Sequence, residues 1–509
     1  MEGFLSNVGL GLSTALSPVS LLFCVIGVTV GMGVGVLPGI GPLAAISLAL
    51  PLTYYVDPTS ALIMLAGIFY GAQYGGSTAS ILLNLPGTAT SAVTCLDGYP
   101  MAQKGQAALA LLVTAINSFA GCSFAILLVM GFAPAIAEAA LAFGSAEYFS
   151  VMILGLVAAS TLSVGSPLKG LAMVVFGIAL GLCGTDVNTG YFRYTFGILE
   201  LSDGLSLIAV AMGLFGVAEI LANIGTGAAP ALAARDLSFR AMLPTKAEWK
   251  QIWAPTARGA VIGSFIGALP GTGPGIASFM AYAFEKRIAK DPSRFGKGAL
   301  EGISAPEAAN NASVQAAFIP TLSLGIPGDA VMAVLMGAMM LHGIIPGPSF
   351  IAEQPAMFWG LVMSFWVGNL VLLVLNIPLI GLWVRLLAIP YRLLYPAILV
   401  FICIGVYSAS NNVFDIWVVL VFGLIGYVMR QFSYPAAPVL LGFILGPLLE
   451  EHFRRALLLS RGHLTVFAER PISAVFLGLT LMLLVLSFTP MLRRRFRRAR
   501  AAAAAAPED

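Results

Sequence analysis

Gly27-Val28-Thr29-Val30-Gly31-Met32-Gly33-Val34-Gly35-Val36-Leu37-Pro38-Gly39-Ile40-Gly41-Pro42 returns, altered but in register, as Gly259-Ala260-Val261-Ile262-Gly263-Ser264-Phe265-Ile266-Gly267-Ala268-Leu269-Pro270-Gly271-Thr272-Gly273-Pro274. Matched positions lie 232 residues apart without a gap, Gly259 after Gly27 and Pro274 after Pro42. Glycine recurs every fourth residue, and both stretches close on Leu-Pro-Gly-x-Gly-Pro. Glycines alone could coincide; four rungs and a shared closing motif read as a duplication. Small residues at every fourth position make a smooth ridge on one helix face, which lets a second backbone approach closely in lipid. The closing motif cannot continue a helix, because proline lacks the amide donor and glycine favours turns. A break at membrane depth is tolerated only where it is buried or lines a wet cavity.

Composition agrees with a lipid environment. The chain has 509 residues, 59% hydrophobic and only 10% charged, with a mean hydropathy of +0.94. A soluble domain carries about 25% charged residues to cover its surface. A spanning helix needs about 20 apolar residues, and residues 107–130, 205–221, 357–374 and 475–486 with its flanks qualify. The expected fold is an all-α polytopic membrane protein with about 11–12 spans. Cys24, Cys95, Cys122, Cys183 and Cys403 are scattered without a CxxC and read as buried small hydrophobes. Residues 1–17 lack the basic lead-in of a secretory signal, so no cleavage is expected.

A second, looser match follows each ladder. Gly75-Gly76-Ser77-Thr78-Ala79-Ser80 leads to Asn84-Leu85-Pro86-Gly87-Thr88; Glu307-Ala308-Ala309-Asn310-Asn311-Ala312-Ser313 leads to Gly325-Ile326-Pro327-Gly328-Asp329. The Pro-Gly pairs are 241 apart, and the extra residues of the second copy fall in its longer loop, 285–301.

Basic residues give orientation. Lys246, Lys250 and Arg258 precede the second ladder, and Lys286, Arg287, Lys290, Arg294 and Lys297 follow it. Both flanks read as cytoplasmic. The segment between them predicts a re-entrant hairpin with arms of about 12 residues, roughly 18 Å each. The flanks of the first ladder carry only Glu2 and Asp57, so that hairpin is expected to enter from the periplasm. The elements that follow then cross in opposite directions. The first ends at Asp97-Gly98-Tyr99-Pro100 and Lys104, the second at 342–356, which has no Lys or Arg. Inverted repeats with broken helices meeting near the midplane are the pattern of secondary transporters. The expected organisation is a first repeat at 17–224, a basic cytoplasmic linker at 225–258 and a second repeat at 259–449. A C-terminal region with a final span follows at 450–492, then a basic and Ala-rich cytoplasmic tail at 493–509.

The segments LPGIGP, YGGSTASILLNLPGTATSAVTCLDGYPMAQKGQ, LPGTGPG and APEAANNASVQAAFIPTLSLGIPGDAVMAVLMGAMMLHGIIPGP resemble the tripartite tricarboxylate transporter family, large membrane (permease) subunit, TctA-like. The resemblance covers roughly residues 17–445. It implies a multi-pass protein of the bacterial inner membrane that imports small di- or tricarboxylates by ion-driven secondary transport. It implies two partners, a small membrane subunit (TctB-like) and a periplasmic solute-binding protein (TctC-like). The implied coupling ion is Na⁺ or H⁺, with no ATPase and no cofactor. Membrane lipid is the remaining partner, and nothing points to nucleic acid.

No Lys or Arg lies within 75–92 or 310–342. A polyanion bound there must use helix N-termini, hydroxyls and amides. The substrate candidates are Ser77, Thr78, Ser80, Asn84, Pro86, Gly87, Thr88 and Thr90 in the first copy. In the second they are Asn310, Asn311, Ser313, Thr321, Ser323, Pro327 and Gly328. The hairpin tips Pro38, Gly39, Gly41 and Pro42, with Pro270, Gly271, Thr272, Gly273 and Pro274, offer freed carbonyls for a cation. Asp329 is a candidate for cation or proton coupling, with helix capping as the plainer alternative. Ser and Thr in such helices commonly bond back to their own backbone, and glycines commonly serve packing. No catalytic residue is assigned. The chain has no HExxH, GxSxG or GxxxxGK[ST], and His342, His452 and His463 are far apart. A channel is the main alternative, an intramembrane enzyme the weaker one.

Overall fold

The structure is a computed structural model describing residues 2–37, 41–162, 166–186, 189–224, 242–269, 273–387 and 391–504. The expected all-α membrane architecture forms. The first half contains α1 (Glu2–Ala15), α2 (Pro18–Val36), α3 (Pro42–Thr53), α4 (Pro58–Leu83), α5 (Ala92–Gln103), α6 (Ala107–Ala140), α7 (Ser145–Leu162) and α8 (Pro167–Gly181). A two-stranded hairpin, β1 (Gly184–Thr185) and β2 (Phe192–Arg193), precedes α9 (Leu207–Asn223), which holds a π turn at Met212–Val217. The second half contains α10 (Lys246–Gly267), α11 (Gly273–Ile288), α12 (Leu300–Ala316), α13 (Phe318–Leu324) and α14 (Ala330–Leu341). It continues through α15 (Pro348–Glu353), α16 (Pro355–Asn376), α17 (Ile380–Leu386), α18 (Tyr391–Ser410), α19 (Val413–Gln431), α20 (Ala437–Leu459), α21 (Val466–Glu469) and α22 (Pro471–Ala504). By length and composition α2, α6, α16, α19 and the Pro471–Thr489 part of α22 can each cross a membrane, and α3, α7, α8, α9, α14 and much of α18 are shorter apolar helices.

Local chemistry fixes the helix starts. The Ser20 amide donates to Ser17 Oγ at 3.4 Å ahead of Pro18, and the Ser60 amide donates to Asp57 Oδ1 at 3.0 Å ahead of Pro58. A side-chain acceptor followed by proline at the first helical position satisfies amides that have no intrahelical partner. Thr245 and Glu248 form a reciprocal capping box at α10.

Helix lengths add detail to two expectations. Residues 246–258 belong to the same helix as the second ladder, so the described end of the expected linker is helical. The arms are also unequal, and all but α3 are longer than expected. α2 has 19 residues and α3 has 12; α10 has 22 and α11 has 16. Basic residues mark where a helix leaves lipid, not where it ends. Arg258 and Glu285 pair at 2.6 Å across α10 and α11 while both helices continue past them. The cysteines are also mixed: Cys24 and Cys122 are buried, and Cys403 is exposed.

Both ladders do the same packing work. A Cβ added at Gly27, Gly31 or Gly35 would strike the carbonyls of Met64, Ile68 or Ala72 on α4. One added at Gly259, Gly263 or Gly267 would strike those of Ala305, Ala309 or Ser313 on α12. The glycines are offset by 232 and their partners by 241, the spacings of the two sequence matches. The halves then interlock. α11 packs on α12 and on the 3-10 turn Ala89–Ser91, while α3 packs on α14. α6 bridges them, with Gly121 against Ala308. Elsewhere α8 and α20 meet through Gly177, Gly181 and Gly442, and α22 lies against α7.

Gly263→Ala is expected to cost about 1–3 kcal/mol through overpacking. The check is the melting temperature of the purified protein in detergent. Gly131→Ala, on α6 with open space around it, should melt like the wild type.

Candidate functional site

The helical run packed on each ladder is interrupted, and the two interruptions share one geometry. α4 ends at Asn84 with φ 56°, and α13 ends at Gly325 with φ 69°. Both are left-handed caps of the kind that glycine and asparagine tolerate. Four residues on, Thr88 and Asp329 are extended and start the next helical segment. Between them Gly87 and Gly328 lie over the last described rungs of their own ladders, beside the carbonyls of Gly35 and Gly267. Gly273, at the start of α11, lies beside Asp329.

The breaks differ in chemistry and exposure. Asn84, Leu85 and Pro86 are exposed, whereas Gly325, Ile326, Pro327 and Gly328 are buried. At the second break the α14 N-terminus is already served, since the Met332 amide donates to Asp329 Oδ1 at 2.8 Å. At the first, Thr88 supplies a neutral hydroxyl instead. Gln73, buried on α4, accepts from Thr90 Oγ1 at 2.6 Å and from Thr88 Oγ1 at 3.3 Å. The Thr88 amide donates to Ser91 Oγ at 3.2 Å.

Several sequence candidates prove committed elsewhere. Ser77, Thr321 and Ser323 donate to carbonyls of their own helices, at Tyr74, Ala317 and Ile319. Ser80 does so at Gly76 and also reaches Ser91, fastening the break to α4. Thr78 is buried on α4. Gly41 and Pro42 start α3, and Gly273 and Pro274 start α11. The tip residues Pro38, Gly39, Pro270, Gly271 and Thr272 lie outside the described residues.

The polar groups left uncommitted cluster on α12. Asn310 is 1% exposed, and neither its Oδ1 nor its Nδ2 has a partner among the described residues. Asn311 Oδ1 and Ser313 Oγ are likewise buried without partners. Buried polar atoms are normally satisfied, so Asn310 and Asn311 are the candidates that α12 offers to a ligand. Glu307, missed by sequence reasoning although quoted in the motif, shares that face. Its carboxylate accepts from Thr94 Oγ1 of α5 and, at 3.4 Å, from Ser118 Oγ of α6. Asn311 Nδ2 donates to the same Ser118 Oγ at 2.8 Å. Charge within an otherwise apolar segment was the one available signal.

Asp97 was also missed as more than a topology marker. It is fully buried on α5, and its Oδ1 accepts from the amides of Gly296, Gly298 and Ala299 at 2.7–2.9 Å. Its Oδ2 accepts from Tyr282 Oη at 3.0 Å. One carboxylate therefore bolts the first half to the loop that launches α12. A separate cavity of about 290 Å³, lined partly by Leu214, Glu219, Gly426 and Arg430, lies among α9 and α19. Its charges are spent on the Arg430–Glu219 ion pair, and no sequence candidate lines it.

Comparison with known proteins places these features in a family. The tripartite tricarboxylate transporter TctA family profile matches residues 21–441. An Agrobacterium vitis relative, described as an uncharacterized 52.8 kDa protein in the TAR-I ttuC' 3' region, is 49% identical over 499 residues, covering 97% of this chain and 98% of the relative. A second relative from that organism, from the TAR-II ttuC' 3' region, is 54% identical over 233 residues, covering 46% of this chain and 96% of its own length. No solved structure matches.

Asp97→Asn keeps the shape but removes the charge that four donors share. Charge-assisted bonds contribute about 1.5–3 kcal/mol each, so a loss of about 2 kcal/mol is expected. Limited proteolysis after Arg294 or Lys297 should accelerate in the variant, and wild-type cleavage rates would contradict the bolt.

Proposed function

This chain belongs to the tripartite tricarboxylate transporter TctA family, and from that premise we propose that it carries small carboxylates through a pocket between its two helix breaks. It is a multi-pass membrane protein and a permease subunit of that transporter class. The finer reading is import across the bacterial inner membrane, driven by a cation gradient and supplied by a periplasmic binding protein. A TctB-like membrane subunit and a TctC-like binding protein are the partners of the tripartite family. The C-terminus is read as cytoplasmic from its arginine cluster.

The observation that carries the pocket is Asn310, an amide buried with both polar atoms unspent. It lies on the helix that packs against the 3-10 turn of the first break. The anion's place follows from the caps. Asp329 already fills the N-terminus of α14 with a carboxylate, which repels a second one. α5 is preceded by neutral Thr88, Thr90 and Ser91, no side chain caps it, and its N-terminus carries a partial positive charge. The substrate carboxylate binds there, beside exposed Asn84, with the Asn310 Nδ2 donor opposite. Asp329 is read as a cap rather than as the coupling group.

Alternating access follows from inverted repeats. Equal contact registers at the two ladders support treating 17–224 and 259–449 as copies, and the basic flanks support their opposite orientation. The elements bolted through Asp97 move together against a scaffold of α7–α9 and α18–α20.

The test is carboxylate uptake and counterflow by the chain with its membrane and periplasmic partners in proteoliposomes. Wild type should exchange saturably, as a carrier does and a channel does not. Asn310→Ala should raise the half-saturating concentration about tenfold, the equivalent of one lost hydrogen bond of about 1.4 kcal/mol, and Thr88→Ala should raise it by loosening the turn that Thr88 ties to Gln73. Unchanged uptake and affinity in both variants would overturn the placement.

A further inference from the structure

Glu307 is 1% exposed, and among the described residues it forms no ion pair. A buried carboxylate without a counter-charge is costly. Asp97 shows how the same fold satisfies a carboxylate by other means, with three amides and a phenol. Glu307 has only two hydroxyls, Thr94 and Ser118, each from a different helix. Around it acceptors outnumber donors among the unspent atoms, two amide oxygens against the Asn310 Nδ2. Asn310 and Asn311 follow at i+3 and i+4 and share its helix face, and the amide oxygens of both are buried without partners.

We propose that Glu307, Thr94, Ser118 and the amide oxygens of Asn310 and Asn311 form a Na⁺ site between α12, α5 and α6. A carboxylate, two hydroxyls and carbonyl oxygens are the ligands that hard cations take. One carboxylate balances one positive charge, so the ion is monovalent. A proton would need a single acceptor and would leave the amide oxygens unused. The site rests on the transport reading for its purpose. Thr94 stands in the first turn of α5, the helix whose N-terminus receives the substrate anion. Na⁺ at Glu307 removes a negative charge facing that anion, so each ligand raises the affinity for the other by the same factor.

The test measures radioactive sodium binding to the full purified chain in detergent, with no carboxylate present and KCl as the background salt. Wild type should bind Na⁺ saturably, and Glu307→Gln should abolish binding. Thr94→Val and Ser118→Ala keep the carboxylate and should each weaken Na⁺ binding about tenfold or more. They decide the matter even if Glu307→Gln fails to fold, as judged by elution and melting in KCl. Wild-type Na⁺ affinity in both hydroxyl variants would overturn the site. So would absence of saturable Na⁺ binding to the wild type, with pH instead governing carboxylate affinity, which would mark Glu307 as a proton carrier. Carboxylate uptake that persists without Na⁺ binding would sink the site and leave the transport reading standing. Na⁺ binding without any carboxylate uptake would do the reverse.

Discussion

Helices in lipid gain nothing by hiding apolar side chains from water, since the lipid tails are equally apolar. They associate where their backbones can touch. Every other feature of this chain depends on that contact at the two glycine ladders. Gly27, Gly31 and Gly35 press α2 onto α4, with Gly71 and Gly75 returning the approach from the other side. Gly259, Gly263 and Gly267 press α10 onto α12. Such contact holds a long helix firmly enough for it to stop in mid-protein, because the interruption is buttressed by a neighbouring main chain. Gly87 and Gly328 lie against the last described rungs for that reason.

Similar backbones carry different chemistry. In the contact register, 241 residues earlier, the positions matching Glu307, Asn310 and Asn311 are Ala66, Phe69 and Tyr70, not residues 75–80, which are set beside them in the sequence. The second half holds the uncompensated carboxylate and the unspent amides; the first holds the neutrally capped helix start. Their meeting line runs from Thr94 to Glu307. On the proposed reading the anion and its cation are held on opposite sides of that line. On that same reading a duplicated frame carries two different sites. The Asp97 bolt keeps the two in fixed relation by tying α5 to the loop before α12.

Much of the frame was legible in the sequence. The ladders, the two interruptions and the spacings of 232 and 241 all reappear as contacts and caps, because glycine at four-residue spacing and Pro-Gly act through the local backbone. Helix lengths were less legible. In the sequence the basic residues of α10 and α11 read as the hairpin's ends, and both helices run past Arg258 and Glu285. The site was legible only in part. Asn310 and Asn311 stood out as adjacent amides in an apolar stretch, and they are the groups left without partners. The hydroxyls of Ser77, Thr321 and Ser323 did not differ in sequence from those of Thr94 and Ser118. What separates them is whether a second helix brings a carboxylate within reach, which is a tertiary fact. Glu307 and Asp97 were hidden for the same reason: one faces hydroxyls, the other amides, and neither partner is near in sequence.

Opposed entry of the two hairpins is the claim that the transport reading most depends on. Site-specific labelling measures it directly. The five cysteines are replaced, and single cysteines are then placed at Tyr55, exposed between α3 and α4, and at Lys290, exposed after α11. A membrane-impermeant thiol reagent is applied to intact spheroplasts and to inverted vesicles. The account predicts that position 55 labels only from the periplasmic side and position 290 only from the cytoplasmic side. Labelling of both positions from one side alone would contradict it.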